Sequence, residues 1–119
     1  MPVVSIMGLP DRMEQAELDS IDREVKRGLL GVVELDLAGA HQVTVKFPAD
    51  RRRYRPGEEE VVVWIDFFEK PERRTTEVIE RALLAVGFSI RLRCPNVLFI
   101  EVLPWGMDRA KGYWASRKG

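Results

Sequence analysis

Apolar residues in this chain fall into short β-like runs and two longer stretches at helical spacing, and their order predicts the architecture. After Pro2, the run Val3, Val4, Ser5, Ile6, Met7 is β-branched and apolar, and Gly8-Leu9-Pro10 breaks it, which predicts a short strand at the start. Asp11 followed by Glu14 resembles a capping box. Leu18, Ile21, Val25 and Leu29 then recur at helical spacing, predicting an amphipathic helix of about five turns that stops between Gly31 and Gly39. Val43, Val45 and Phe47 alternate with Thr44 and Lys46, predicting a strand with one wet face. Residues 49–60 have no apolar period and read as an exposed loop. The run Val61 to Phe68 is near-continuously apolar, interrupted only by Asp66, and predicts a buried strand. A second helical stripe runs through Val78, Ile79, Ala82, Leu83 and Val86, with Gly87 as its expected stop. Val97 to Leu103 predicts the last strand, ended by Pro104-Trp105-Gly106, and 107–119 form a polar tail.

The order β-α-β-β-α-β divides into two similar halves, about 1–49 and 61–105, within one domain spanning 1–119. The expected fold class is α/β: a duplicated β-α-β unit with a four-stranded sheet and two helices on one face. Two of the strands carry apolar residues on both faces, so the face without helices needs a cover, most simply another copy of the chain.

Composition narrows the function. With 119 residues, 45% hydrophobic and 32% charged, the chain suits a single globular core. Nineteen Lys plus Arg balance nineteen Asp plus Glu, so no global field draws it to nucleic acid or an anionic membrane. The basic run at Arg51, Arg52, Arg53 and Arg55 is followed at once by Glu58, Glu59 and Glu60 and reads as a solvated loop. No apolar run is long enough to span a bilayer and the N-terminus lacks a signal-peptide pattern, so the expected location is cytoplasmic. One cysteine, Cys94, and one histidine, His41, leave too few ligands for a metal site, and no cofactor is expected. Cys94 is expected to be a reduced, inert thiol.

Proline directly after the initiator Met, in MPVVSI, is the feature through which the chain resembles the tautomerase superfamily. In that family Met is removed and the proline amine becomes the catalytic acid or base. Arg12, in DRMEQAEL, stands where short 4-oxalocrotonate tautomerases have a GRSDEQ-type arginine, and REVKRGLLG is also similar to those enzymes. KPERRTTE after the third strand is similar to the RPRS segment of malonate semialdehyde decarboxylases, and LPWGMDRAKGYW looks like the aromatic segment that follows the last strand in longer members. There are departures. Gly39, Ala40 and His41 stand where the longer members carry an acidic residue that handles water, with Asp36 displaced nearby; Lys70 replaces an arginine, and Glu72 stands where a second cation is common.

The resemblance implies a homotrimer that acts on a small 2-oxo acid or enol by keto–enol tautomerisation, with Pro2 catalytic. A malonate-semialdehyde-type decarboxylase or hydratase is the alternative within the family. A non-enzymatic ferredoxin-like module binding a metabolite or protein is the alternative outside it. Pro2 also suits an edge strand without catalysis. The physical case for catalysis is that burial and nearby cations disfavour an ammonium, lowering its pKa from about 8 toward neutrality. Arg73 and Arg74 are expected in the first turn of the second helix, where a bound anion would offset the macrodipole's repulsion of cations, and with Lys70 they are candidates to hold a carboxylate. Arg12, His41 and Trp105 complete the candidate substrate-binding set, each with a structural reading beside it.

Overall fold

The structure, a computed structural model, describes residues 2–10, 13–48, 60–67 and 75–104, together with the backbone of 114–117. Strand β1 (Val3–Met7) is followed by helix α1 (Gln15–Leu30), two single 3-10 turns at Val33–Leu35 and Ala40–Gln42, and β2 (Thr44–Lys46). Strand β3 (Glu60–Asp66), helix α2 (Thr76–Arg93) and β4 (Phe99–Pro104) repeat the motif, and β5 (Trp114–Arg117) closes the described chain. The sheet order is β2-β1-β3-β4-β5. β1 and β2 are parallel, as are β3 and β4, while β1 and β3 meet antiparallel at the centre. Two β-α-β units therefore lie side by side in opposite senses.

Period-two alternation decides which strand residues reach the helices. Val4 and Ile6 of β1, Val61, Val63 and Ile65 of β3, and Ile100 and Val102 of β4 are buried. From the helices, Ile21, Val25 and Leu29 of α1 and Ile79, Leu83, Val86 and Ile90 of α2 complete one core. Fully burying each such side chain contributes about 1.5–3 kcal/mol relative to leaving it exposed. The alternate residues Val3, Ser5, Met7, Val62, Trp64, Asp66, Phe99 and Glu101 lie on the other face and are half-buried.

The two helices approach closely where Gly28 faces Ala85 and Ser89. The Ser89 hydroxyl lies 3.0 Å from the Glu24 carbonyl and 2.8 Å from that of Ala85. Glu24 also joins the helices by charge: its carboxylate accepts from Arg93 at 3.0 Å and from Arg27 at 2.9 Å. The hydrogen bond from Arg93, with the one from Arg27, holds Glu24 below the usual carboxylate range. Arg81 pairs with Glu34 across the same layer.

Several sequence expectations change. The polar tail contributes a strand, since Trp114–Arg117 pairs antiparallel with β4 and makes the sheet five-stranded. The cap of α1 is Glu14, without a side-chain hydrogen bond, so the helix starts later than a box based on Asp11 requires; Asp11 itself lies outside the described residues. α1 ends at Leu30, with Gly31 as its C-cap, just before the expected interval. Gly87 does not stop α2, which continues to Arg93 because Ser89 and Ile90 still pack inward. Thr75 is the N-cap of α2, its Oγ1 accepting from the Val78 N–H at 3.3 Å, so Arg73 and Arg74 precede the helix and are not in its first turn. Among the described residues, no helix is long and apolar enough to cross a membrane.

Candidate active site

Strand directions gather most of the candidate segments at one end of the sheet. Pro2 is buried, and its carbonyl accepts from the Thr44 N–H at 3.1 Å, which ties the start of β1 to the start of β2. Because β1 and β2 are parallel in the register Val3 to Thr44, residues 41–43 lie at the Pro2 end. β3 runs the other way and pairs Asp66 with Val3, so it finishes beside Pro2. β4 is parallel to β3 and pairs Pro104 with Ile65, so it finishes there too.

The Pro2 nitrogen faces the β2 side. Within a parallel ladder the N–H and C=O positions of one residue point to the same neighbour, and the Pro2 carbonyl already bonds to β2. That directs the nitrogen toward the turn carrying His41 and Gln42. On the helix side, Val43 and Phe67 are both buried in the core, which gives this corner apolar walls.

The His41 side chain is exposed and lies against Gly39, where an added Cβ would stand 3.0 Å from Nδ1. Gln42 pins the same turn by accepting from the Ala38 N–H through Oε1 at 2.7 Å. The remaining candidates, Lys70, Arg73, Arg74, Arg12 and Trp105, lie outside the described residues. Their flanking residues are informative. Phe67 and Thr75, on either side of 68–74, belong to the end of β3 and the start of α2, and Pro104 precedes Trp105 at the end of β4; all three are at the Pro2 end. Pro10 and Met13, on either side of 11–12, follow the end of β1 opposite Pro2. Cys94 is buried at the C-cap of α2, away from this end.

Asp66 belongs to this corner and was absent from the candidate set. Its signal was present in the sequence, as the one charged residue in an otherwise apolar run, but only the register with Val3 gives that charge a location.

No protein-family model matches the sequence. No curated protein is significantly similar to it. Among solved structures, the crystal structure of native Ps01740 is similar with a TM-score of 0.53 at 12% identity, covering 89% of this chain and 99% of that one. Malonate semialdehyde decarboxylase, described with decarboxylase and hydratase activities, has a TM-score of 0.46 at 12% identity, covering 92% of this chain and 94% of that one. At this identity the likeness to Ps01740 is one of fold: the β-α-β-β-α-β core is shared over most of both chains.

Proposed function

We propose that the protein is a tautomerase that interconverts the enol and keto forms of a small 2-oxo acid, with the Pro2 amine moving the proton. The observation that supports this best is the meeting, at one sheet end, of buried Pro2, the His41 turn, and the ends of β3 and β4 that lead into 68–74 and Trp105. Removal of Met1 frees a secondary amine. In ketonisation the neutral amine takes the enol hydroxyl proton and returns it to the carbon across the double bond, so one O–H and one C=C bond are replaced by one C–H and one C=O bond. Lys70, Arg73 and Arg74 hold the substrate carboxylate, His41 donates to a substrate oxygen, and Trp105 walls the site.

The assembly in this reading is a homotrimer that covers the half-buried sheet face. Arg12 fits it as a residue lent to a neighbouring copy's site, because its described neighbours Pro10 and Met13 follow the end of β1 opposite Pro2.

Phenylenolpyruvate is the test substrate, with mass spectrometry of the purified chain establishing that Pro2 is the first residue. Turnover is expected, and Pro2→Ala is expected to lower it by about 10²–10⁴-fold with the circular dichroism spectrum unchanged. A loss below tenfold, or a fully retained Met1 in an active preparation, would refute the role of Pro2.

A further inference from the structure

Helix α2 carries a second apolar stripe that the core does not use. Its buried positions, among them Ile79, Leu83, Val86 and Ile90, pack into the core. Leu84, Phe88 and Leu92 recur four residues apart on the opposite side of the helix and are 40%, 60% and 65% exposed. Among the described residues, the other exposed large apolar side chains are Leu30, at the end of α1, and Val33 just after it. Arg81, one turn before Leu84, pairs with Glu34, the neighbour of Val33, so the stripe and that segment share one outward surface. Single exposed apolar residues are ordinary, whereas a contiguous row of them marks an interaction surface.

Two properties fit the stripe to a copy of itself. The first is symmetry, since Leu84 and Leu92 lie four residues to either side of Phe88, about 6 Å along the helix axis. A two-fold axis at Phe88 brings Leu84 of one copy opposite Leu92 of the other and sets the two Phe88 rings together, which is the self-complementarity that such a contact requires. The second is a reversal of charge. Glu77 and Glu80 are exposed in the first two turns, and Arg91 and Arg93 stand in the last. Counting the partners across the helix layer, Glu34 beside Arg81 and Glu24 with Arg27 beside Arg93, each half keeps its sign. An antiparallel pair therefore sets acid against base and opposes the two macrodipoles, whereas a parallel pair would set like charge against like.

We propose that the outward face of α2 is a two-fold contact between copies of this chain, with the two helices antiparallel and crossing at Phe88. The contact does not depend on the chemistry assigned to Pro2. It lies on the helix side of the sheet, opposite the half-buried face that the proposed trimer covers, so both contacts can form at once. Three apolar side chains and their flanks remove roughly 300–500 Å² per copy, below the about 800 Å² per partner of a standard interface. The association is accordingly weak and is expected above the micromolar range.

Sedimentation velocity from micromolar to submillimolar concentration tests the contact. The wild-type mass is expected to rise above its low-concentration value. Phe88→Asp, which places two carboxylates together at the axis, is expected to weaken the association by roughly tenfold or more, with the circular dichroism melt unchanged. If that variant fails to fold, Leu92→Gln takes its place. Disulfide trapping with oxidised glutathione in a Cys94→Ala background reads the orientation. Phe88→Cys is expected to give a cross-linked pair; Leu84→Cys is expected to give little, because its two copies would be about 12 Å apart along the axis against the roughly 4 Å between the Cβ atoms of a disulfide. No rise in mass, or an equal rise in wild type and Phe88→Asp, would overturn the contact and leave the stripe to a different protein or to another segment of this chain. Trapping of Leu84→Cys as fast as Phe88→Cys would overturn the antiparallel crossing.

Discussion

Gly28→Ala separates helix propensity from helix packing, because the two make opposite predictions. In the interior of a helix, Ala is favoured over Gly by about 0.8–1.0 kcal/mol. On propensity alone, the variant would be more stable by that amount. A Cβ at position 28, however, would stand 2.8 Å from Ser89 Oγ and 3.2 Å from the Ala85 carbonyl oxygen of the facing helix. The hydroxyl can rotate away, at the cost of its contact with the Glu24 carbonyl. The Ala85 oxygen is backbone and moves only if α2 moves. Overpacking of this kind costs about 1–3 kcal/mol, so the net expectation is a loss of about 1 kcal/mol, or a fall in Tm of roughly 3–5 °C for a chain of this size. Urea denaturation at fixed protein concentration measures it. The same substitution made on Ser89→Ala removes the closest atom and is expected to be nearly neutral, a coupling of about 1 kcal/mol in the double-mutant cycle. A single variant as stable as wild type or more so, with no coupling, would refute the close-packed helix pair.

Two further expectations concern charge and assembly. The folded-state pKa of Glu24 is depressed from 4.5, so its ion pairs with Arg93 and Arg27 stabilise the fold above the unfolded pKa, and that stabilisation is lost as pH falls through the folded value. Glu24→Gln should therefore melt below wild type at pH 6 and alike at pH 2, and a gap that persists in acid would place the effect in packing and not in charge. Sedimentation at micromolar concentration should give a trimer with the half-buried sheet face inside, and Trp64→Lys should shift it toward monomer; a stable wild-type monomer would oppose both the assembly and the lending of Arg12.

The two β-α-β units were legible because their signals are local. Val4, Ile6, Val61, Val63 and Ile65 alternate within short windows, and Ile21, Val25 and Leu29 repeat at helical spacing. Where the reading failed, a distant contact decided the outcome. Gly87 weakens a helix by about 1 kcal/mol, yet burial of Ile90 one turn later exceeds that cost and carries α2 to Arg93. β5 has no apolar alternation to announce it, and its existence follows from the free edge that β4 offers. At the candidate site, Pro2 stood out by position alone, and His41 by being the only histidine. Asp66 was visible as an interruption, but its place beside Val3 is a fact of pairing between distant strands. The separation of Pro10 and Met13 from Pro2 is likewise a fact of strand direction, which residue spacing does not encode.

The opposed halves also bear on where a chain terminus can be put to use. Strand β3 begins at Glu60 and pairs with the start of β4 at Phe99, just as β1 begins beside the start of β2, but it does so at the other end of the sheet. The counterpart of the Pro2 nitrogen is thus an ordinary peptide nitrogen within the chain, with no lone pair available for protons. The fold has two geometrically related corners, and in the reading proposed for Pro2 only the one at Pro2 presents an amine, once Met1 is removed. A circular permutant opened between β2 and β3 would exchange them, silencing the corner at Pro2 and exposing a new amine at the start of β3. On that reading the direction of the chain, as much as its side chains, determines which corner is equipped for chemistry.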